Sequence, residues 1–278
     1  MEERPLKVAF QGEIGAYSEV AVYRYFDAKV QPIPCKSFQE VFSKVDSGLV
    51  DYGVLPIENS IEGSVNQVYD LLLTHDLMIC GEVVVKVEHC LIGNPNSNLN
   101  RVKRVYSHPQ ALAQCSEFLE RLKCEIIPTY DTAGSVKIVK ERGLIDEAAI
   151  ASEKASEIYG MKILARDISN YPDNYTRFVT ISKIDAPPSG NDKTLIIFSV
   201  IHAPGTLYDA LGVFAKRGIN LTKIESRPTR KKPWEYIFYL DFEGHRNEPK
   251  CSDALRELQD KTLFVKVLGS FLKAVTSE

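Results

Sequence analysis

The stretch Lys183–Lys193, KIDAPPSGNDK, is the one clear break in composition along the chain. Two prolines followed by Ser, Gly, Asn and Asp offer nothing to bury and favour turns, so the segment reads as a linker. It divides the 278 residues into an N-terminal domain at 1–184, a linker at 185–193 and a C-terminal domain at 194–278. A chain of this length exceeds one small core and fits two domains, one of them bilobed.

Upstream of the linker, strand-like and helix-like segments alternate. LKVAF predicts a strand, Ala16–Phe26 and Ser37–Ser47 helices, YGVLPI a strand, and residues 60–73 a helix ahead of the β-rich MICGEVVVKVEHCLIG. RVKRVYS, CEIIPT and EAAIAS each precede a helix, at 108–122, 132–142 and 153–159, and RFVTIS closes the domain. That alternation predicts an α/β fold with a largely parallel sheet covered on both faces. Strands near 80–90 and at RFVTIS that cross between halves predict two lobes, with ligands in the cleft where strands end and helices begin. Downstream, TLIIFSVIH, Pro204–Arg217, INLTKIESRP, EYIFYLDFEG, Asp253–Lys261 and LFVKVLGSF read as βαββαβ, the ferredoxin-like order. A one-sided sheet of that kind pairs with a copy of itself, which predicts a homodimer or homotetramer.

The charge balance, 34 basic against 37 acidic residues, leaves no footprint for nucleic acid or a membrane surface. No apolar run approaches the roughly 18 residues of a membrane span. MEERPLKVAF leads almost directly into a strand, which predicts no signal or transit peptide. The cysteines at 35, 80, 90, 115, 124 and 251 form no CxxC and no metal-ligand spacing with histidine. Buried free thiols in a reducing cytoplasm, with no metal and no cofactor, are the expectation.

Three polar segments read as helix starts. In PIENSIEGSV, Asn59 and Glu62 have capping-box spacing, with Ile61, Val65, Val68 and Leu72 as the buried stripe. In YSHPQALAQC, Ser107 and Gln110 have the same spacing, Pro109 suits an early helical position, and Gln114 shares their face. In TYDTAGSV, Asp131 or Thr132 begins a helix. Together they would aim unsatisfied N–H groups and small polar side chains at one cleft, an anion-binding arrangement. Neither GxxxxGK[ST] nor GxGxxG occurs, and no nucleophile–His set has recognisable context, so the anion is a carboxylate rather than a nucleotide. Arg177 in DNYTRFVT is the natural bidentate partner, Glu58 could pair with it or cap, and His108 is the group near the cleft that titrates around neutrality.

GEIGAYSE, LPIENSIEGSV, YSHPQALAQC, NYTRF and PGTLYDAL with INLTKIESRP, in that order, resemble the prephenate dehydratase family over essentially the whole chain. The resemblance implies a two-lobed, periplasmic-binding-protein-like catalytic domain followed by an ACT regulatory domain, in the monofunctional form. It implies conversion of prephenate to phenylpyruvate with loss of carbon dioxide and water, with Thr176 closest to catalysis, Arg177 on a carboxylate and Phe178 walling the pocket. Asn59, Ser60, Ser107, Gln114 and Thr132 are carried over as substrate-binding positions. It also implies phenylalanine bound between paired ACT domains, by Gly205, Thr206 and Leu207 on one block and Asn220, Leu221, Glu225, Ser226, Arg227 and Pro228 on the other. Thr206 departs from the alanine more usual there. An arogenate dehydratase and a non-catalytic sensor of aromatic metabolites are the alternatives.

Overall fold

The computed structural model describes residues 4–26, 29–229 and 235–274. They form two compact units: residues through Val68 with Val83–Phe178, and Tyr69–Glu82 with the chain from Val179 onward. The first unit and the crossing segments carry strands β1 (Leu6–Gln11), β2 (Val30–Cys35), β3 (Tyr52–Asn59), β4 (Gly63–Ser64), β5 (Met78–Lys86), β6 (Cys90–Gly93), β7 (Arg104–Ser107), β8 (Glu125–Pro128), β9 (Glu147–Ala151), β10 (Lys162–Ala165) and β11 (Tyr175–Ser182). Their helices are α1 (Tyr17–Phe26), α2 (Phe38–Asp46), α3 (Asn66–Thr74), α4 (Pro109–Gln114), α5 (Ser116–Leu122), α6 (Thr132–Arg142) and α7 (Glu153–Tyr159).

Two sheets make the two lobes. One has the order β2-β1-β3-β11-β5, with β4 paired to β3; the other runs β10-β6-β9-β7-β8. Pairing is parallel at β1 with β2 and β3, and at β7 with β8 and β9. It turns antiparallel where β6 joins β9 and β10. The sheets are therefore mixed, with parallel pairing confined to strands linked through helices. β9, EAAIA, is buried along its whole length because both faces are covered. Ala149 and Ala151 pack with Tyr106 and Val136 on one side, Ala148 and Ile150 with Val105 and Leu112 on the other.

The second unit carries β12 (Asp192–Ser199), α8 (Thr206–Ala215), β13 (Leu221–Pro228), β14 (Tyr236–Glu243), α9 (Pro249–Lys261) and β15 (Phe264–Leu272). The βαββαβ order closes a sheet β13-β14-β12-β15, antiparallel throughout, and α8 and α9 bury Phe198, Phe214, Leu240 and Phe242 on one face. The other face is not bare. The Tyr69 ring meets Tyr239 at 4.5 Å, and Lys266 Nζ donates to the His75 carbonyl at 2.6 Å, so Tyr69–Glu82 folds with this unit.

Two expected helices differ. The helix expected over 60–73 begins only at Asn66, because Asn59 caps a tight turn that pairs Glu58 with Ser64. Of its expected stripe, Val68 and Leu72 are buried while Ile61 and Val65 are only partly covered. The helix expected over 108–122 breaks at Cys115, whose φ of −115° and ψ of 17° are not helical, into α4 and α5. Among the described residues no helix is long and apolar enough to cross a membrane.

Candidate active site

A cavity of about 460 Å³ opens within the first unit. Thr176 and Phe178 reach it from β11, Asn59 from the end of β3, and Thr132 from the start of α6. Strand alternation explains the pair from β11: residues 176 and 178 share a face and Arg177 takes the other. Arg177 accordingly lies outside the lining, with Nη1 3.8 Å from Glu58 Oε2. The basic groups that do line the cavity are Lys36 and His108.

Three helix starts border this space: those of α4 and α6, expected from the sequence, and that of α2 in place of the one expected at Asn59. Ser37 caps α2, accepting from Glu40 N at 3.2 Å, while Glu40 accepts from Lys36 N at 2.8 Å, a reciprocal pair that fixes the entry of Lys36. His108, not Ser107, caps α4, its Nδ1 accepting from Gln110 N at 3.3 Å. Asp131 caps α6, accepting from Gly134 N at 2.8 Å. Burial pushes the Asp131 carboxyl above its usual range, partly offset by that Gly134 amide. The GEIG turn is a packing device: Gly15 has a φ of +94°, and a Cβ there would come within 2.9 Å of Ala155 Cα. Ser152 Oγ donates to the Gly15 carbonyl at 2.7 Å, which sets Tyr17 at the cavity edge.

Behind Thr176 runs a chain of amides. Asn59 Nδ2 donates to Thr176 Oγ1 at 3.0 Å and to Asn174 Oδ1 at 2.7 Å, while Asn59 Oδ1 accepts from Ile61 N and Glu62 N, each at 3.0 Å. Asn174 Nδ2 donates to Gln114 Oε1 at 2.9 Å, and His89 Nε2 meets the same oxygen at 2.9 Å. Burial lowers the His89 pKa, partly offset by Gln114.

The expected residues thus divide. Thr176, Phe178, Asn59 and Thr132 line the cavity, and Gln114 stands one layer behind it. Ser107 is buried and donates to the Ile150 carbonyl at 2.7 Å, outside the lining. Ser60 is exposed and clips the hairpin to β11, donating to the Asp173 carbonyl and accepting from Tyr175 N at 2.9 Å. Lys36, His89 and Asn174 were not foreseen. The signal for Lys36 was present in KSFQE, a cation immediately before a capping box, whereas a lone His in an apolar β-run carries none. Among the described residues no cluster of His, Cys, Asp and Glu could hold a metal ion.

In the second unit a cavity of about 400 Å³ is lined by Thr206, Leu207, Ile201, Thr229 and Phe238 among others. Gly205 caps α8 with a φ of +85°, and a Cβ there would meet nothing within 4 Å. A glycine is favoured there by the left-handed backbone conformation. Thr206 Oγ1 donates to the Ile201 carbonyl at 2.8 Å. Asn220 leads into the edge strand β13, which begins at Leu221; there Ser226 and Pro228 are exposed, Glu225 lies 3.5 Å from Lys223, and Arg227 donates to Asp70 at 2.9 Å. Thr206 and Leu207 therefore share one cavity, and the second block lies outside it along the edge strand.

Residues 8–186 match the prephenate dehydratase family model and residues 194–260 the ACT domain. The bifunctional chorismate mutase/prephenate dehydratase of Aquifex aeolicus is 44% identical, covering 99% of this chain and 76% of that one. The chloroplastic arogenate dehydratase/prephenate dehydratase 2 of Arabidopsis thaliana is 46% identical over 96% of this chain and 72% of its own length. The crystal structure of Arthrobacter aurescens prephenate dehydratase in complex with L-Phe superposes with a TM-score of 0.88 at 32% identity, covering 96% of this chain and 90% of that one. The chain belongs to the prephenate dehydratase family, its catalytic domain followed by an ACT domain.

Proposed function

We propose that the protein converts prephenate to phenylpyruvate, carbon dioxide and water in phenylalanine biosynthesis, in the cavity faced by Thr176. The observation that carries the site assignment is the direction of one hydrogen bond: Thr176 Oγ1 accepts from Asn59 Nδ2, which leaves its own hydrogen for a ligand. In the reaction the ring carboxylate leaves as carbon dioxide, its bonding pair enters the ring, and the ring hydroxyl departs with a proton as water. Aromatisation drives these steps, so the protein needs to hold the substrate and assist the departing oxygen. A threonine hydroxyl is a poor acid, so Thr176 hydrogen-bonds the departing oxygen while water or a neighbour supplies the proton.

Lys36, with the N-termini of α2 and α6, supplies positive potential for the substrate carboxylates. Arg177 could join them only by leaving Glu58. Phe178 gives an apolar wall to the ring, and Thr132 and Asn59 add polar contacts.

Phenylalanine regulates the enzyme through ACT domains paired between copies, as a homodimer or homotetramer. Ile201, Tyr208, Ile224 and Leu263 are large apolar side chains left exposed on the second unit, which supports a partner copy there. We place the protein in the cytoplasm, since all its cysteines are unpaired. We read it as a dehydratase without mutase activity, so purified protein given chorismate should form no prephenate.

The test is product formation from prephenate and arogenate in parallel, with and without phenylalanine. Phenylpyruvate from prephenate, suppressed by phenylalanine, is expected. Turnover of arogenate alone, the activity that the Arabidopsis relative's name also carries, would change the substrate and keep the site. Folded protein that binds phenylalanine but turns over neither would be a sensor.

A further inference from the structure

We propose that Asp131 sets the choice between the keto substrate prephenate and its amino analogue arogenate, by offering an anionic oxygen where the two differ; the inference rests on the dehydratase reading above. The two compounds share a ring, its hydroxyl and two carboxylates. They differ at the carbon next to the side-chain carboxylate, a ketone in one and an ammonium in the other. Hydroxyl and side chain sit at opposite ends of the ring, so a hydroxyl held at Thr176 sends the side chain away from β11. The space continues beyond the first cavity into a second of about 510 Å³. Gln11, Lys36, Tyr130 and Asp131 stand in the walls of both, whereas Thr176 and Phe178 stand in the first alone. At that junction Lys36 supplies a cation for the side-chain carboxylate, and Asp131 an anion for an ammonium on the carbon beside it.

The Asp131 carboxylate is oriented by α6. Its Oδ1 accepts from Gly134 N at 2.8 Å, which leaves Oδ2 for a ligand. That second oxygen lies beside Gly12, where a Cβ would come to 3.0 Å from it, so the glycine keeps it uncovered. Glu13, the other acid of the second space, already has Lys137 at 3.6 Å and the Tyr130 hydroxyl at 3.4 Å. Asp131 has no ion-pair partner among the described residues, so an ammonium would be its counter-charge. Burial raises its carboxyl above the usual range, the mark of a charge held without compensation. An amino substrate relieves that charge. A keto substrate, carrying two negative charges and no positive one, is repelled by it.

The experiment compares kcat/KM for prephenate and for arogenate in the wild type and Asp131→Asn, on the full chain. Asparagine caps a helix as well as aspartate does. The Gly134 N–H holds its Oδ1, so Nδ2 takes the place of Oδ2 and an anionic acceptor becomes a neutral donor at constant volume. For arogenate kcat/KM should fall about 10-fold or more, the scale of a lost charged hydrogen bond. For prephenate it should rise about twofold or more, because a like charge has gone. Opposite changes for the two substrates are what a merely structural cap would not produce. Equal falls for both, or a ratio between them that does not move, would overturn the proposal. Should Asp131→Asn fail to fold, Asp131→Ser, an uncharged cap, must move the ratio in the same direction. Binding of prephenate and of arogenate to both proteins, read by calorimetry, gives that ratio without turnover. A binding ratio that moves in a protein inactive on either compound refutes the dehydratase reading alone, and an unmoved ratio in an active enzyme refutes the role of Asp131 alone.

Discussion

Arg177 and Glu58 lie 3.8 Å apart on the side of β11 away from Thr176 and Phe178, so the most prominent cation of the TRF block is engaged outside the cavity. Lys36 occupies the lining instead. Lys36→Met should raise KM for prephenate by about 10-fold or more, the worth of a charged hydrogen bond at roughly 1.5–3 kcal/mol, with a smaller change in kcat. Arg177→Lys, which keeps a charge near Glu58, should change KM less. Steady-state kinetics on the two variants checks the order, and a larger KM effect at Arg177 would return the carboxylate to that side chain.

How much of this was legible follows from what each residue needs. The βαββαβ unit was readable because its alternating strands and amphipathic helices bury one face, which periodicity reports directly. The helix expected from residue 60 was misread because Asn59 and Glu62 satisfy a capping pattern that a tight turn uses equally well. Ser107 was expected in the site from the same spacing, yet His108 caps through a ring nitrogen, outside the usual capping set. The pairing of Tyr69–Glu82 with the C-terminal unit depends on contacts more than 150 residues apart in sequence, such as Arg227 with Asp70, which no local pattern encodes. The amide chain is illegible for the same reason: Asn59 and Asn174 are neighbours only in three dimensions.

Glu82 and Lys193 form an ion pair at 3.3 Å in the second unit, both almost wholly buried, and Glu82 also accepts from Ala274 N at 2.9 Å. Removing one member of such a pair strands the other charge away from water. Glu82→Gln should cost about 3–5 kcal/mol in urea unfolding, whereas Glu82→Leu with Lys193→Met should fall near the wild type. Equal losses from the single and double variants would show that packing, not charge, decides this site.

The thiols should be quiet in the native protein. Burial pushes Cys80 and Cys115 up to about 12 and Cys90 and Cys251 up to about 11, and it raises Cys35 and Cys124 as well. The thiolate is the nucleophile, and an ordinary free cysteine titrates near about 8.5. At pH 8, iodoacetamide should therefore modify the four most shifted thiols far more slowly than a model thiol, with all six reacting once the chain is denatured. Mass spectrometry of the intact protein over time reads this out, and fast labelling at Cys90 or Cys115 would contradict the packing described for them.

The buried ring of His89 also leaves a mark on stability. Burial lowers its pKa in the folded chain below the ordinary value of about 6.5, so as pH falls the unfolded chain takes up the proton first. Where the unfolded state binds more protons, stability falls with falling pH, at a slope approaching about 1.4 kcal/mol per pH unit for one group. The decline begins near the unfolded value and ends once the folded ring is protonated as well. Asp131 works in the opposite sense, because its raised carboxyl takes up a proton in the folded state first and gains stability on acidification. That contribution is common to the wild type and His89→Gln, so the difference between their unfolding free energies isolates the ring. Measured from pH 7.5 to 5 by urea titration, the difference should be flat above about pH 7 and then move in favour of His89→Gln. A difference that stays flat across the range would mean that His89 titrates normally in the fold, and so is not held in the buried amide chain.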